Sequence, residues 1–289
     1  MDTELRLARK KEAIERELER ILSPGDSLLH EAMRYSVLGG GKRFRPLLLL
    51  SSAEEFGVPL EDALPFASSV ELIHNYSLVH DDLPSMDDDD VRRGKPTCHK
   101  AFGEDIALLA GDALLTLAFE VVSSPSLDQK TYVEKSKERA IAELARHAGT
   151  EGMIGGQMLD ITLSPETISQ EIFHELVQKK TGALITASVR IGAILGGANE
   201  SQLEAVTQYG INIGLAFQTK DDLQDSVEDA ERKNVYRPNS VSLYGLEKAF
   251  QRLDSFVSEG LRALERGEVL SPELRFLAKK LLDMKNKDK

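Results

Sequence analysis

The chain has 289 residues and a net charge of −12, with 41% hydrophobic and 29% charged residues. That balance argues against a broad nucleic-acid-binding face. A single cysteine, Cys98, excludes an internal disulfide and fits a reducing, cytoplasmic setting.

Residues 3–22 carry Leu7, Ile14, Leu18 and Ile21 near helical spacing and predict an amphipathic helix that Ser23-Pro24-Gly25 ends. Its mixed charges and lack of an apolar core do not fit a signal peptide. A second helix covers about 27–37 and runs into GGGKRFRP (39–46). Helices over 46–56 and 61–82 follow, the second stopping before Pro84 because a residue preceding proline avoids the α region. IALLAGDALLTLAFEVV (106–122) is apolar on most faces and predicts a buried central helix, with Asp112 as a buried partner for a basic group. No run approaches about 18 uninterrupted apolar residues, so no membrane span is expected.

Helical periodicity resumes over 129–148 and 168–195, separated by GTEGMIGGQMLDITLSPE. There GGQMLD reads as close helix packing, with Gln157 and Asp160 placed to line a cavity. A long helix spans 201–226, and the polar loop 226–242 is the best candidate for a mobile segment. Residues 244–284 read as two or three amphipathic helices. With no alternating strand pattern and no linker, the expectation is one all-α domain over residues 1–289, a bundle of ten or more helices.

The chemistry concentrates in HDDLPSMDDDDVRRGKP (80–96), which holds six aspartates between Asp81 and Asp90 and then Arg92, Arg93 and Lys95. Asp81 and Asp82 close a predicted helix, where the dipole disfavours negative charge, and neighbouring carboxylates raise one another's pKa. Such a cluster destabilises the empty protein unless cations arrive. Magnesium, a hard ion that shares carboxylates with phosphates, suits it. A solvated acidic loop is the bland alternative, and a calcium site lacks the glycine and glutamate spacing of an EF-hand. The second acidic site shifts the balance. In DDLQD, Asp221 and Asp225 are four apart and share a helix face. Two aspartate-bearing helix ends facing across a bundle would hold several magnesium ions and present positive charge to an anion. Lys42, Arg43 and Arg45, and again Arg92, Arg93 and Lys95, are local anion sites in an acidic chain. Glycines 39–41 would let backbone approach a phosphate. Pro84 is expected to bulge the turn so that Asp81 and Asp87 both reach metal.

Together, GGGKRFRP (39–46), ELIHNYSLVHDDLPSMDDDDVRRGKPTCHKAFG (71–103), LLAGDALLTLAFE (108–120), GGQMLD (155–160), KTGALI (180–185) and FQTKDDLQD (217–225) resemble the trans-isoprenyl diphosphate synthases, most closely the bacterial farnesyl type. The resemblance implies an isoprenoid-synthase bundle around a deep central cavity, usually a homodimer, with three magnesium ions per site. It implies that Asp81, Asp87 and Asp221 bind magnesium, while Asp82 and Asp225 support bound waters. Arg92 would hold the allylic diphosphate, and Lys42, Arg45, His74 and Arg93 that of isopentenyl diphosphate. Lys180, Thr181 and Gln218 would lie beside the allylic diphosphate and its developing cation. Tyr76, five residues before Asp81, would floor the cavity and set a fifteen-carbon product, and Pro84-Ser85 matches the bacterial farnesyl motif. No nucleic acid and no stable membrane insertion are implied. Alternatives are a twenty-carbon product and a non-catalytic subunit of the same fold.

Taken alone, His74 reads as a packed or surface residue, Tyr76 as a packed core residue, Thr181 as an ordinary turn residue, and His80 as a neighbour of the aspartates. Cys98 and His99 lack zinc spacing. The chain departs from the family after the second aspartate motif: residues 225–247 form a shorter stretch without the usual Gly-Lys pair, with Lys233 as its only candidate substitute.

Overall fold

The computed structural model describes residues 2–124, 131–163, 168–228 and 239–283. In chain order the helices are α1 (Thr3–Ile21), α2 (Leu28–Val37), α3 (Phe44–Glu55), α4 (Leu60–Asp81), α5 (Cys98–Phe102), α6 (Glu104–Ser123), α7 (Thr131–Ala148), α8 (Met153–Thr162), α9 (Gln170–Val177), α10 (Ala183–Leu195), α11 (Glu200–Glu228), α12 (Ser240–Tyr244), α13 (Leu246–Arg266) and α14 (Pro272–Lys280). A π-helical turn, Gln178–Gly182, joins α9 to α10 without a break. The strands are two-residue pieces, Val91–Arg92 and Lys95–Pro96, paired antiparallel around Arg93-Gly94.

Local chemistry accounts for many of the boundaries. Asp2 caps α1, Ser27 caps α2 and Ser271 caps α14, each accepting from a backbone N–H of the first turn, and Pro272 takes the first helical position of α14. α4 and α10 are buried along most of their length and pack with α3 at the centre. α6 lies against α4, and α13 against α11. The first and last described helices meet across α3: Arg6 and Lys10 of α1 bind Glu54 of α3 and Glu273 of α14, with Arg6 Nη2 at 2.6 Å from Glu54 and Arg6 Nε at 2.9 Å from Glu273.

Three expectations need correction. The stretch 149–166 is not merely a separator, since it contains α8; its glycines mask a helix that tertiary contact stabilises. Close approach explains one of them: a Cβ on Gly156 would stand 2.1 Å from the backbone nitrogen of Lys180. Helix α6 is not buried all round. Ala107, Ala110, Leu114 and Ala118 face the core, but Leu108 and Leu109 are about half exposed, and the side chain of Asp112 is open, 3.8 Å from His80. By length and composition α6 is also apolar enough to cross a membrane, although it packs along α4 and α2. Leu109 and Leu117 of its open side line a cleft of about 630 Å³ with Leu29 and Met33 of α2. Most of the 226–242 loop, including Lys233, lies outside the described residues.

Candidate active site

Asp81 is the last residue of α4, and the chain folds straight back on it. The Asp87 N–H donates to the Asp81 carbonyl at 2.8 Å, and the Asp88 N–H to that of Leu83 at 3.1 Å. The turn around exposed Pro84 therefore brings Asp81 and Asp87 together. Burial pushes the Asp81 carboxyl up to about 6, with Asp87 and Asp82 adding to the rise and Lys180 and Arg92 opposing it. Asp221, in the last two turns of α11, is likewise pushed up to about 6 by burial, with Asp225 and Asp222 raising it and Lys42 and Arg45 opposing. Both carboxyls are thus poor anions until positive charge comes close. Their all-oxygen donors fit a hard divalent cation such as magnesium.

Two bridges link α4 to α11. On one side, Arg45 reaches from α3. Its Nη1 lies 3.4 Å from His74 Nε2 on α4, and its guanidinium sits 5.7 Å from the Phe217 ring centroid on α11. Arg45 is buried, and its Nε has no hydrogen-bond partner. Burial and the charges of Arg45, Arg93, Arg92 and Arg43 hold His74 well below the usual histidine range, so it is neutral at pH 7. This is a pocket of clustered cations. Arg93 closes it from the loop, in the left-handed region at φ 53, its Nη1 donating to the Gly40 carbonyl at 2.6 Å. Gly41 (φ +145) passes this guanidinium: a Cβ there would meet Arg93 Cζ at 3.4 Å. Lys42 is exposed beside them.

On the other side, the π turn carries Lys180 and Thr181. Lys180 pairs with Asp160 of α8 and is the strongest of the positive charges acting on Asp81. The Thr181 hydroxyl donates to Gln218 Oε1 at 2.8 Å, and Gln218 Nε2 donates to Asp222 Oδ1 at 2.9 Å. The backbone allows this closeness because Gly182 meets Gly214 of α11: a Cβ on Gly214 would lie 2.6 Å from the Gly182 Cα.

Tyr76 lies on α4 before Asp81, buried, its hydroxyl without a partner and its ring edge-on to His80 at 5.8 Å. Burial, and then Asp81, push its phenol up to about 12. Arg92 donates from Nε to both oxygens of Asp82, at 2.7 and 2.9 Å. The Asp82 carboxylate thereby holds Arg92 in place. A cavity of about 50 Å³ lies behind this pair, lined by Asn75, Arg93 and Cys98 among others.

Arg43 does not join the anion pocket that its neighbours suggested. It is 2% exposed, donating to Glu15 at 2.8 Å, to Glu71 at 2.7 Å and to the Val37 carbonyl at 2.8 Å. Among the described residues, the group of three ligating side chains with atoms within 4.8 Å of one another is Asp88, Asp90 and His99, not Asp81, Asp87 and Asp221. Spacing alone gave no reason to join His99 to the acidic run. Asp222 was also missed, although Gln218 and Asp222 stand four apart on a helix, the same spacing that paired Asp221 with Asp225.

A family model described as polyprenyl synthetase matches residues 26–236. The chain is 44% identical over 229 residues to a farnesyl diphosphate synthase of Geobacillus stearothermophilus, covering 78% of this chain and 76% of the relative. It is 42% identical over 258 residues to a chloroplastic geranylgeranyl pyrophosphate synthase of Capsicum annuum, covering 86% of this chain and 69% of the relative. A crystal structure of an FPP/GFPP synthase from Zymomonas mobilis superposes with a TM-score of 0.85 at 37% identity, covering 97% of this chain and 98% of the other.

Proposed function

The chain belongs to the polyprenyl synthetase family, and we propose that it condenses isopentenyl diphosphate head to tail with dimethylallyl and then geranyl diphosphate to give farnesyl diphosphate. The observation that carries this reading is the pairing of two different anion sites. One is built from raised carboxylates, Asp81 and Asp221, that need metal. The other is built from Arg45 and Arg93 around neutral His74 and needs none. One reaction that joins two diphosphates uses both.

Asp81, Asp87 and Asp221 would hold magnesium, about three ions per site in this family, and the metal supplies charge stabilisation to departing pyrophosphate. Arg92, held by Asp82, would grip the allylic diphosphate, with Lys180 beside it. Lys42, Arg45, His74 and Arg93 would hold isopentenyl diphosphate so that its double bond faces the allylic carbon. The oxygens of Thr181 and Gln218 would steady the carbocation, since acceptor dipoles fixed before the reaction need no reorganisation. In this reading Tyr76, buried five residues before Asp81, floors the site, keeping water from the cation and limiting chain growth.

Relatives named for fifteen- and twenty-carbon products are nearly equally similar, so Tyr76 decides the length in this reading. The salt-bridged clasp between α1, α3 and α14 supports one domain over residues 1–289. The open apolar side of α6 supports a homodimer, and the single buried thiol of Cys98 a cytoplasmic setting. The test is a product assay: magnesium, labelled isopentenyl diphosphate and dimethylallyl or geranyl diphosphate, with chain length read out. A fifteen-carbon product is expected. A twenty-carbon product rejects the length assignment, and no product from either primer rejects the function.

A further inference from the structure

We propose that Asp222 is a positioning residue: it decides which end of the Gln218 amide faces Thr181 and ties that choice to the start of α12. The inference rests on the reading that the allylic cation develops beside Thr181 and Gln218. A primary amide has an acceptor end and a donor end of nearly the same shape. The Thr181 hydroxyl can donate or accept, so Thr181 alone does not choose between them. Asp222 does. Its Oδ1 accepts from Gln218 Nε2 at 2.9 Å, so the donor end of the amide faces Asp222. Oε1 is then left for Thr181, whose hydroxyl has to donate, at 2.8 Å. The Oγ1 lone pairs of Thr181 stay free. The result is a pair of acceptor oxygens with one polarity, suited to a developing positive charge and wrong for an anion. With the amide reversed, an N–H would stand in the same place and oppose the cation.

The second oxygen of Asp222 holds the arrangement in place. Oδ2 accepts from the Ser240 N–H, the first amide of α12, at 2.7 Å, and both Asp222 and Ser240 are buried. The polarity at Thr181 is therefore fixed through three successive hydrogen bonds that end on the backbone of another helix. Both oxygens of Asp222 serve this relay, whereas its neighbour Asp221 faces the charges of Lys42 and Arg45.

The test is Asp222→Asn, which keeps the shape but offers one acceptor where two donors must be met. The kcat should fall by about tenfold to hundredfold, as expected for a misplaced group beside the reacting atoms. The KM for isopentenyl diphosphate, bound on the α3 and α4 side, should not move. A double-mutant cycle identifies the route: in a Gln218→Ala background the effect of Asp222→Asn on kcat should vanish. Additive effects, or a loss confined to KM, overturn the proposal. Ser240→Pro removes the α12 amide and sets its Cδ where that N–H met Asp222 Oδ2, so the carboxylate has to move. Proline suits a first helical position and Asn239 before it is extended, so the local backbone accepts it. An unchanged kcat there refutes the tie to α12. Independently of turnover, the Gln218 side-chain NH2 signal in nitrogen-15-labelled metal-free protein should be protected from exchange in the wild type and lose protection in Asp222→Asn. An unprotected wild-type amide overturns the geometry. A protected amide in a chain that condenses no prenyl diphosphate overturns the proposed function, and with it this role in catalysis.

Discussion

Replacing Asp81 by asparagine should make the metal-free protein more stable while abolishing its chemistry. Burial and the nearby carboxylates raise Asp81 from 3.8 to about 6. A carboxyl raised in the folded state binds its proton there more tightly than in the unfolded chain. Stability therefore falls as pH rises between these two values and stays low above the upper one. A rise of about two units corresponds to about 3 kcal/mol at pH 7 and about half of that at pH 5. Asparagine removes the charge at nearly constant shape. In a chain of this size the gain corresponds to a Tm increase of about 5 °C at pH 7. The assay is thermal unfolding in EDTA at pH 7 and pH 5, and again at pH 7 with magnesium and pyrophosphate. The wild type should gain about 2.7 kcal/mol from these ligands at a hundredfold excess over the dissociation constant, and the variant far less. A Tm that drops in EDTA at pH 7, or a gain no smaller at pH 5 than at pH 7, would refute the reasoning.

Tyr76→Ala should lengthen the product by at least one isoprene unit, read by chromatography of the dephosphorylated products; an unchanged length removes Tyr76 from the site. The adjacent cations Arg43 and Arg45 should separate cleanly. Arg43→Gln leaves Glu71 buried without its partner and should cost about 3–5 kcal/mol in denaturant unfolding, with both KM values unchanged. Arg45→Gln should raise the KM for isopentenyl diphosphate by about tenfold to hundredfold, the worth of a charge-assisted contact, with little change in stability. Gly156→Ala forces a Cβ against the Lys180 backbone, and steady-state kinetics should show kcat lowered by about a hundredfold in a chain that still folds.

The elements with a clear apolar period, such as α1 and α4, were legible in the sequence within a residue or two. What was not legible depended on partners far along the chain. Arg43 and Arg45 look alike in GGGKRFRP, and only the folded chain shows that Arg43 meets Glu15 and Glu71, each 28 positions away. Helix α8 was hidden because its glycines argue against helix locally and are needed for contact with the π turn. In α6, apolar residues on most faces read as burial, but a single chain covers only part of that surface. Asp222 stands in the DDLQD motif, but its task depends on a backbone partner 18 positions away.

The π turn has a meaning beyond placing Lys180. From Gln170 to Leu195 the chain is one continuous helix, and a π turn accommodates one residue more than an α turn would. One extra residue rotates everything after it by about 100°. Before the turn, Phe173, Leu176 and Val177 belong to a small apolar cluster with Leu215; after it, Leu184, Ile185 and Val189 belong to the main core. The extra residue is a change of phase that lets one rod face two cores. Deleting a single residue between 178 and 180 would heal the helix into a regular one and send one of these faces the wrong way. In this segment the spacing of the chain, as much as the identity of its side chains, writes the site.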